Sequence, residues 1–430
     1  MSPTLQPTKP RALMSRLSIM MLLEYMTYGS WWATLGLVMT TNGMASSVGT
    51  AYALAAIAAL VSMMFTGAIA DRFFSSQKVL GVLHLIGGVL LLTISPAVTS
   101  GNATLVLVAI FVYMLFFQPT LAMTNNITFT HLAEGSRKFA YIRAVGTAGW
   151  IIVGLIIGQS GLSASTAIFT IGAVLSFALA AFSFTLPKTP PPSREKGFRI
   201  GDVIGAGAFY LLKSRSMIVL VVCLILAAIP ISIYNSFGAT YLDLAGVPNV
   251  ASFMTIGQAF ELATLVLIPV LLRKVSIKWV LVAGLIAWVV RAALFLVMSD
   301  GNITIAVIVV GLHGICNDFF VMAASIFINE VTRPETRAQA QAMFLVVSFG
   351  IGNTIGSLTA GALFNQFVGA STDLAAWNPI WYVMGGLMVV ASLLMVLYFR
   401  PRADEYASDA TKNIVAVRNE TRAPQLDHSA

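Results

Sequence analysis

GLHGICNDFFVMAASIFINEVTRPETR, residues 311–337, begins inside a long apolar run and carries Asn317-Asp318 near its middle. An ionised carboxylate at the centre of a lipid-spanning helix costs about 2.5–3.5 kcal/mol or more, so such a residue faces a protein interior or a watery cavity. The run closes in a short loop, Glu330 to Arg337, rich in both charges. A membrane helix with one polar wall follows from this pattern, and the rest of the chain must supply the surface that wall faces.

Composition agrees. Of 430 residues, 58% are hydrophobic and 10% are charged, with a mean hydropathy of +0.86; a soluble domain holds about 25% charged residues. Apolar stretches long enough to cross the hydrocarbon layer recur from end to end, separated by short polar breaks. The chain reads as an all-α polytopic membrane protein whose surroundings are the lipid bilayer. Its net charge of +8 does not indicate nucleic acid, because Lys and Arg gather in the breaks, where they orient the spans, rather than along one soluble face. Cys223 and Cys316 both fall in apolar segments and read as small packing residues, not as a disulfide or metal pair. Nothing in the sequence calls for a metal or cofactor.

Twelve spans are expected, at about 17–40, 47–70, 78–97, 103–127, 139–158, 164–186, 216–242, 250–272, 277–298, 303–329, 338–366 and 377–399. Alternate breaks, near 41–46, 98–102, 159–163, 243–249, 299–302 and 367–376, contain no Lys or Arg. The other set carries Arg72 and Lys78, Arg137 and Lys138, Lys188 to Arg199, Arg273 to Lys278, and Arg333 with Arg337. This bias places both termini in the cytoplasm. Five regions follow: a cytoplasmic tail over 1–16, a six-helix bundle over 17–186, a proline-rich charged linker over 187–215, a second six-helix bundle over 216–400, and a polar tail over 401–430. The linker reads as a tether with a short segment, Asp202 to Leu212, lying on the inner surface.

The halves repeat each other in order. Tyr28-Gly-Ser-Trp-Trp-Ala-Thr34 is echoed by Tyr234-Asn-Ser-Phe-Gly-Ala-Thr240. Asp71-Arg72 through Lys78 matches Arg273-Lys274 through Lys278, and the EGSRK of 134–138 matches the PETR of 334–337. Twelve transmembrane helices in two parallel six-helix pseudo-repeats, with a substrate site between them at the bilayer midplane, is the major facilitator fold. The segment GAIADRFFSSQK, 67–78, resembles that superfamily's loop between spans 2 and 3. Its small residues let helices approach, while Asp71, Arg72 and Lys78 can bridge helix ends and hold one state of a gate closed.

Polar residues inside the spans mark the candidate site. Arg143, Thr147 and Trp150 share one face of span 5, and Thr255, Gln258 and Glu261 stack on span 8. Glu24, Tyr28 and Trp31 share a face of span 1; Asn235 on span 7, Gln118, Asn125 and Asn126 on span 4, and Asn317-Asp318 on span 10 complete the set. Gln118 and Asp318 occupy equivalent places in the two halves. The amides and Thr255 also suit helix–helix packing. His84 and His313 read as packing donors, and Arg291 as one half of a structural pair with an acid. Three carboxylates, Glu24, Glu261 and Asp318, exceed what packing needs, and a carboxyl that alternates between dry and wet surroundings can load and release a proton.

The stretches YGSWWATLG (28–36), GAIADRFFSSQKVLGVLHLIGG (67–88), QPTLAMTNNITF (118–129), IRAVGTAGW (142–150) and NSFGATYL (235–242) resemble the nucleoside:proton symporter family of that superfamily. The similarity continues through GQAFELATLVLIPVLLRKVSIKWVLVAGLIAWVVRAALF (257–295) and DFFVMAASIFINEVTRPETRAQAQAMF (318–344), and so covers most of 17–400. The resemblance implies proton-driven uptake of nucleosides across a bacterial inner membrane. It implies Arg143, Thr147, Trp150, Asn235, Gln258, Glu261 and Asp318 as cavity residues. Two positions depart from the family's pattern: Ser232 stands where a glutamine is expected, and Glu24 where an uncharged residue is. The chemistry of the residues is suited to such a substrate. Trp31 and Trp150 can stack on a base, while Gln118 and the other amides and carboxylates can bind its edges and the ribose hydroxyls. The competing expectation is a facilitator of the same architecture for a sugar or other small polar metabolite. A membrane enzyme is disfavoured, since no nucleophile elbow, Walker loop or metal-ligand cluster is present in the sequence. A single chain holding both halves is expected to work as a monomer.

Overall fold

A computed structural model describes residues 10–132, 137–190 and 200–401, leaving aside the side chains of 10, 63–73, 137, 200 and 203. Readings that rest on the terminal tails, on residues 134–136, on 191–199 and on the Asp71 and Arg72 side chains lie outside the described residues. The first half comprises α1 (Pro10–Gly29), α2 (Leu35–Thr41), α3 (Val48–Phe73), α4 (Ser76–Thr99), α5 (Ala103–His131), α6 (Arg137–Gln159) and α7 (Ala167–Ser183). After the short α8 (Ile200–Val203) come α9 (Arg215–Leu244), α10 (Val250–Lys274), α11 (Ile277–Leu296), α12 (Ile303–Asn317), α13 (Ala323–Val331), α14 (Arg337–Leu345), α15 (Asn353–Leu363) and α16 (Asn378–Tyr398). Ten stretches among the described residues are long and apolar enough to cross a membrane. The remaining two spans are α1 with α2, interrupted at 30–34, and the shorter α7. Twelve spans in two six-helix bundles result.

Span 10 runs from α12 into α13 through a π-helical turn, Asp318–Met322, and span 11 contains two such turns, Val346–Gly352 and Phe364–Val368. A π-turn inserts a residue into the helical ladder and commonly marks a working position. The internal repeat extends to a detail of the turns. Gly101 and Gly301 adopt φ of +69° and +68°. The next residue, Asn102 or Asn302, caps the following helix by accepting from the backbone N–H three residues on, at 3.0 and 3.1 Å.

In the first bundle α4 packs on α5 and α7, and α1 on α6 and α7; in the second α11 packs on α16 and α12, α10 on α12, and α9 on α15 and α16. The bundles meet through α6 with α10, α3 with α15, and α2 with α9. The first two pairings exchange under the twofold relation between the halves. Close approach depends on residues without side chains: a Cβ at Gly36 would collide with the Ser236 carbonyl oxygen, and one at Gly49 would lie 2.5 Å from Gly361 Cα. The hydrogen bonds described between the bundles fall at this same end. Ala251 N–H donates to Ser163 Oγ at 3.1 Å, Ser252 Oγ to the Leu155 carbonyl at 3.2 Å, and Asn365 Nδ2 to the Ser46 carbonyl at 3.2 Å. It is the end whose loops lack Lys and Arg.

The linker is fastened on both sides of its middle. Buried Thr189 gives its carbonyl to Ser76 N–H at 3.0 Å, its N–H to Gln77 Oε1 at 2.9 Å, and its hydroxyl to a contact with His131 Nε2 at 3.0 Å. Beyond α8, a 3-10 segment over Ala206–Lys213 buries Ala208 and Leu211. It docks on the start of span 11, with Gln339 Nε2 donating to Asp202 Oδ1 at 2.9 Å and Tyr210 Oη 3.2 Å from Thr336 Oγ1.

Candidate functional site

On the first bundle the site grows from the seam between α1 and α6. Gly146 and Gly149 let the helices close, a Cβ at Gly149 lying 2.5 Å from the Leu22 carbonyl oxygen. Arg143 and Thr147, one turn apart, are joined by Nη1–H donating to Oγ1 at 3.3 Å, and the guanidinium lies 4.2 Å from the centre of the Tyr25 ring. A cation over an aromatic face gains about 0.5–2 kcal/mol and holds the guanidinium in one plane. Trp150, one turn further, meets Tyr28 edge-on with ring centres 5.1 Å apart. Gln118 lies half-buried on α5 beside Phe117, which packs on Tyr28 at 5.1 Å.

Two residues grouped with this face by spacing are turned away from it. Trp31 has no exposed surface: the chain leaves helical geometry at 30–34, and the indole packs against Tyr113, Trp32 and Tyr28. Glu24 is fully buried within the first bundle, bonded to Thr120 and His84. The rings of α1 that meet α6 are Tyr25 and Tyr28.

On the second bundle α10 and α12 approach closely at Gly257 and Gly314, a Cβ at Gly314 lying 2.6 Å from the Phe260 backbone. That contact sets Glu261, 29% exposed, beside His313, with Nε2 3.5 Å from Oε2. One turn on, Thr264 donates its hydroxyl to Asp318 Oδ2. Asp318, 2% exposed, is the first residue of the π-turn in span 10. Asn235 and Gln258 are half-buried on α9 and α10. Tyr234 spreads between two basic groups, its ring centre 5.4 Å from that of His313 and 3.6 Å from the Arg291 guanidinium carbon. Arg291 is fully buried and makes no ion pair among the described residues. It rests on the rings of Tyr234 and Trp288 where the sequence reading expected an acid. Ser232 is buried and points its hydroxyl toward the Asn353 carbonyl, 3.5 Å away on span 11.

The structure thus brings together Arg143, Thr147 and Trp150 on one wall, and Glu261 and Asp318 with their partners on the other. Tyr25 and Thr264 were not singled out from the sequence. Thr264 had a signal, since it continues the Thr255, Gln258, Glu261 stripe by another three residues. Tyr25 had none, because only the closeness of α1 and α6 puts it under Arg143. Lys78 is exposed at the start of α4. No group of three or more His, Cys, Asp or Glu among the described residues is arranged to hold a metal ion.

Two parallel six-helix bundles meeting at one end, with ring, amide and carboxylate side chains on their facing helices, define a transporter of the major facilitator type rather than an enzyme. The family model described as "Nucleoside H+ symporter" matches residues 12–404, and the chain belongs to that family. It is 32% identical over 406 residues to YegT of Escherichia coli (strain K12), which is named as a candidate nucleoside transporter; the match covers 91% of this chain and 95% of that one. It is 28% identical over 405 residues to the nucleoside permease NupG of the same organism, covering 90% and 95%. The crystal structure of the nucleoside transporter NupG superposes with a TM-score of 0.81 at 27% identity, covering 91% of this chain and all of that one.

Proposed function

We propose that this chain carries nucleosides into the cell together with protons, by alternating access, across the bacterial inner membrane. The observation that carries the reading is the pairing of walls: a guanidinium fixed over a ring beside Trp150 faces helices bearing Glu261, His313 and Asp318. A nucleoside has an apolar base face and a polar edge and sugar, and a site with those two kinds of surface suits it. Arg143, Thr147, Trp150, Gln118, Asn235, Gln258, Glu261 and Asp318 form the substrate set, with Trp31 backing Tyr28 from inside the bundle. Asp318 is the coupling acid and Glu261 its neighbour. Asp71, Arg72 and Lys78 latch the opposite end of the molecule when it closes.

The positive-inside bias assigns the end where the bundles are bonded together to the outer side, with both termini in the cytoplasm. This conformation therefore presents its site inward. Each chain supplies both walls, so the monomer is the working unit. Purified protein in liposomes, given an inward proton gradient and labelled nucleosides beside a panel of sugars, tests the reading. Saturable nucleoside accumulation that a protonophore abolishes is the expected result. Accumulation of a sugar with no nucleoside movement would reassign the substrate.

A further inference from the structure

We propose that Glu24 and His84 are positioning residues: a sealed pair that shares one proton and fixes the rotation of α1, so that Tyr25 and Tyr28 are presented to Arg143 and Trp150. The inference rests on the transport reading above and adds to it a role for an acid that lies outside the facing walls.

Glu24 is 0% exposed and His84 1%. His84 Nε2 lies 2.8 Å from Glu24 Oε2, and the Thr120 hydroxyl is shared between Glu24 Oε1 and the Phe117 carbonyl, each 2.6 Å away. Ser176 completes the group, donating its hydroxyl to the His84 carbonyl at 2.8 Å while its oxygen lies 3.0 Å from His84 Nδ1. Because the one hydroxyl hydrogen of Ser176 is used on the carbonyl, Nδ1 carries a hydrogen and donates to Ser176 Oγ. Between Nε2 and Oε2 there is then room for one proton. On the oxygen it gives a neutral acid against a neutral imidazole; on the nitrogen, a carboxylate against an imidazolium. Either arrangement leaves the pair neutral overall and every polar atom partnered, which is the condition for burying such groups at low cost.

The four side chains belong to α1, α4, α5 and α7, so one polar knot ties four helices of the first bundle. An α-helix turns about 100° per residue. Holding Glu24 inward therefore points Tyr25 toward α6, and Tyr28, three residues on, shares that face. Tyr25 carries the Arg143 guanidinium and Tyr28 meets Trp150. The same seclusion argues against proton transfer through Glu24. All four helices lie in one bundle, and rigid-body rocking of one bundle against the other would leave the pair dry on both sides.

The test uses the full chain in proteoliposomes, with KM and maximal rate measured for proton-driven uptake and for counterflow. In Glu24→Gln the amide oxygen still accepts from Thr120 and the amide nitrogen donates to His84 Nε2 in the same tautomer, so KM within about twofold of wild type and intact accumulation are expected. Glu24→Leu leaves His84 Nε2 without a partner and the Thr120 hydroxyl with the Phe117 carbonyl alone; KM should rise about tenfold with the maximal rate changed far less. Thr120→Val removes the bond to Glu24 together with the local one to the Phe117 carbonyl and should raise KM about threefold, and it keeps the test decisive if the leucine variant fails to insert. Loss of accumulation with counterflow intact in Glu24→Gln would make the pair a proton carrier and overturn the proposal. Wild-type KM in Glu24→Leu or Thr120→Val would overturn it also. A wild-type protein that moves no nucleoside would remove the transport reading itself, an outcome separable from these because it shows before any variant is compared.

Discussion

Asp318→Asn separates binding from coupling. The Thr264 hydroxyl donates to Asp318 Oδ2, and asparagine keeps an oxygen in that place, so the bond persists but passes from charge-assisted to neutral. That change costs about 1 kcal/mol, or about fivefold in an equilibrium constant. The effect on accumulation is of another order. One proton falling through 100 mV releases about 2.3 kcal/mol, enough to hold about a 50-fold concentration ratio of a co-transported solute. Asparagine cannot take up that proton, so in energised vesicles the ratio should fall to about one, while counterflow, which needs no net proton movement, should fall by about fivefold only. Glu261→Gln is the control, because Glu261 lies one turn from Thr264 and faces His313. Proton-dependent nucleoside accumulation in Asp318→Asn would refute the reasoning and move the coupling to another acid.

Arg143→Ala, Gln258→Ala and Asn235→Ala should each weaken nucleoside binding about 5- to 150-fold with membrane insertion intact, as read by ligand-dependent thermal stabilisation. Arg143→Lys should not rescue the first of these, since a lysine cannot lie flat on the Tyr25 ring while donating to Thr147. Gly36→Ala places a Cβ against the Ser236 carbonyl oxygen and should force α2 away from α9; a cysteine reporter on α9 should then label faster from the outer side, and an unchanged rate would mean that this contact does not seal the end. Asp71→Asn should raise labelling of site cysteines from the cytoplasm, and an unaltered labelling ratio would reduce the loop to an orienting one.

What could be read from the sequence divides along a physical line. Helix number, span limits and the internal repeat depend on hydrophobic length and on order along the chain, and both are printed in the residues. The repeat could have been read further, since Gly101-Asn102 and Gly301-Asn302 turn and cap identically in the two halves. Which way a polar residue points is set by something else, namely which neighbouring helix offers a partner. Spacing placed Glu24, Tyr28 and Trp31 on one face of span 1, and in an unbroken, isolated helix it would be right. The break at 30–34 turns Trp31 into the bundle, and Glu24 follows His84 and Thr120, which lie 60 and 96 residues away. Arg291 shows the converse, because an intramembrane cation is expected to find an acid, yet here the flat faces of Tyr234 and Trp288 serve instead. Where a desolvated group can be satisfied in more than one way, the choice belongs to the packing. The resemblance to a family singled out Arg143, Thr147 and Trp150 on span 5 and Asp318 on span 10 where spacing alone could not choose among faces, since relatives that share a fold share the packing that sets those faces.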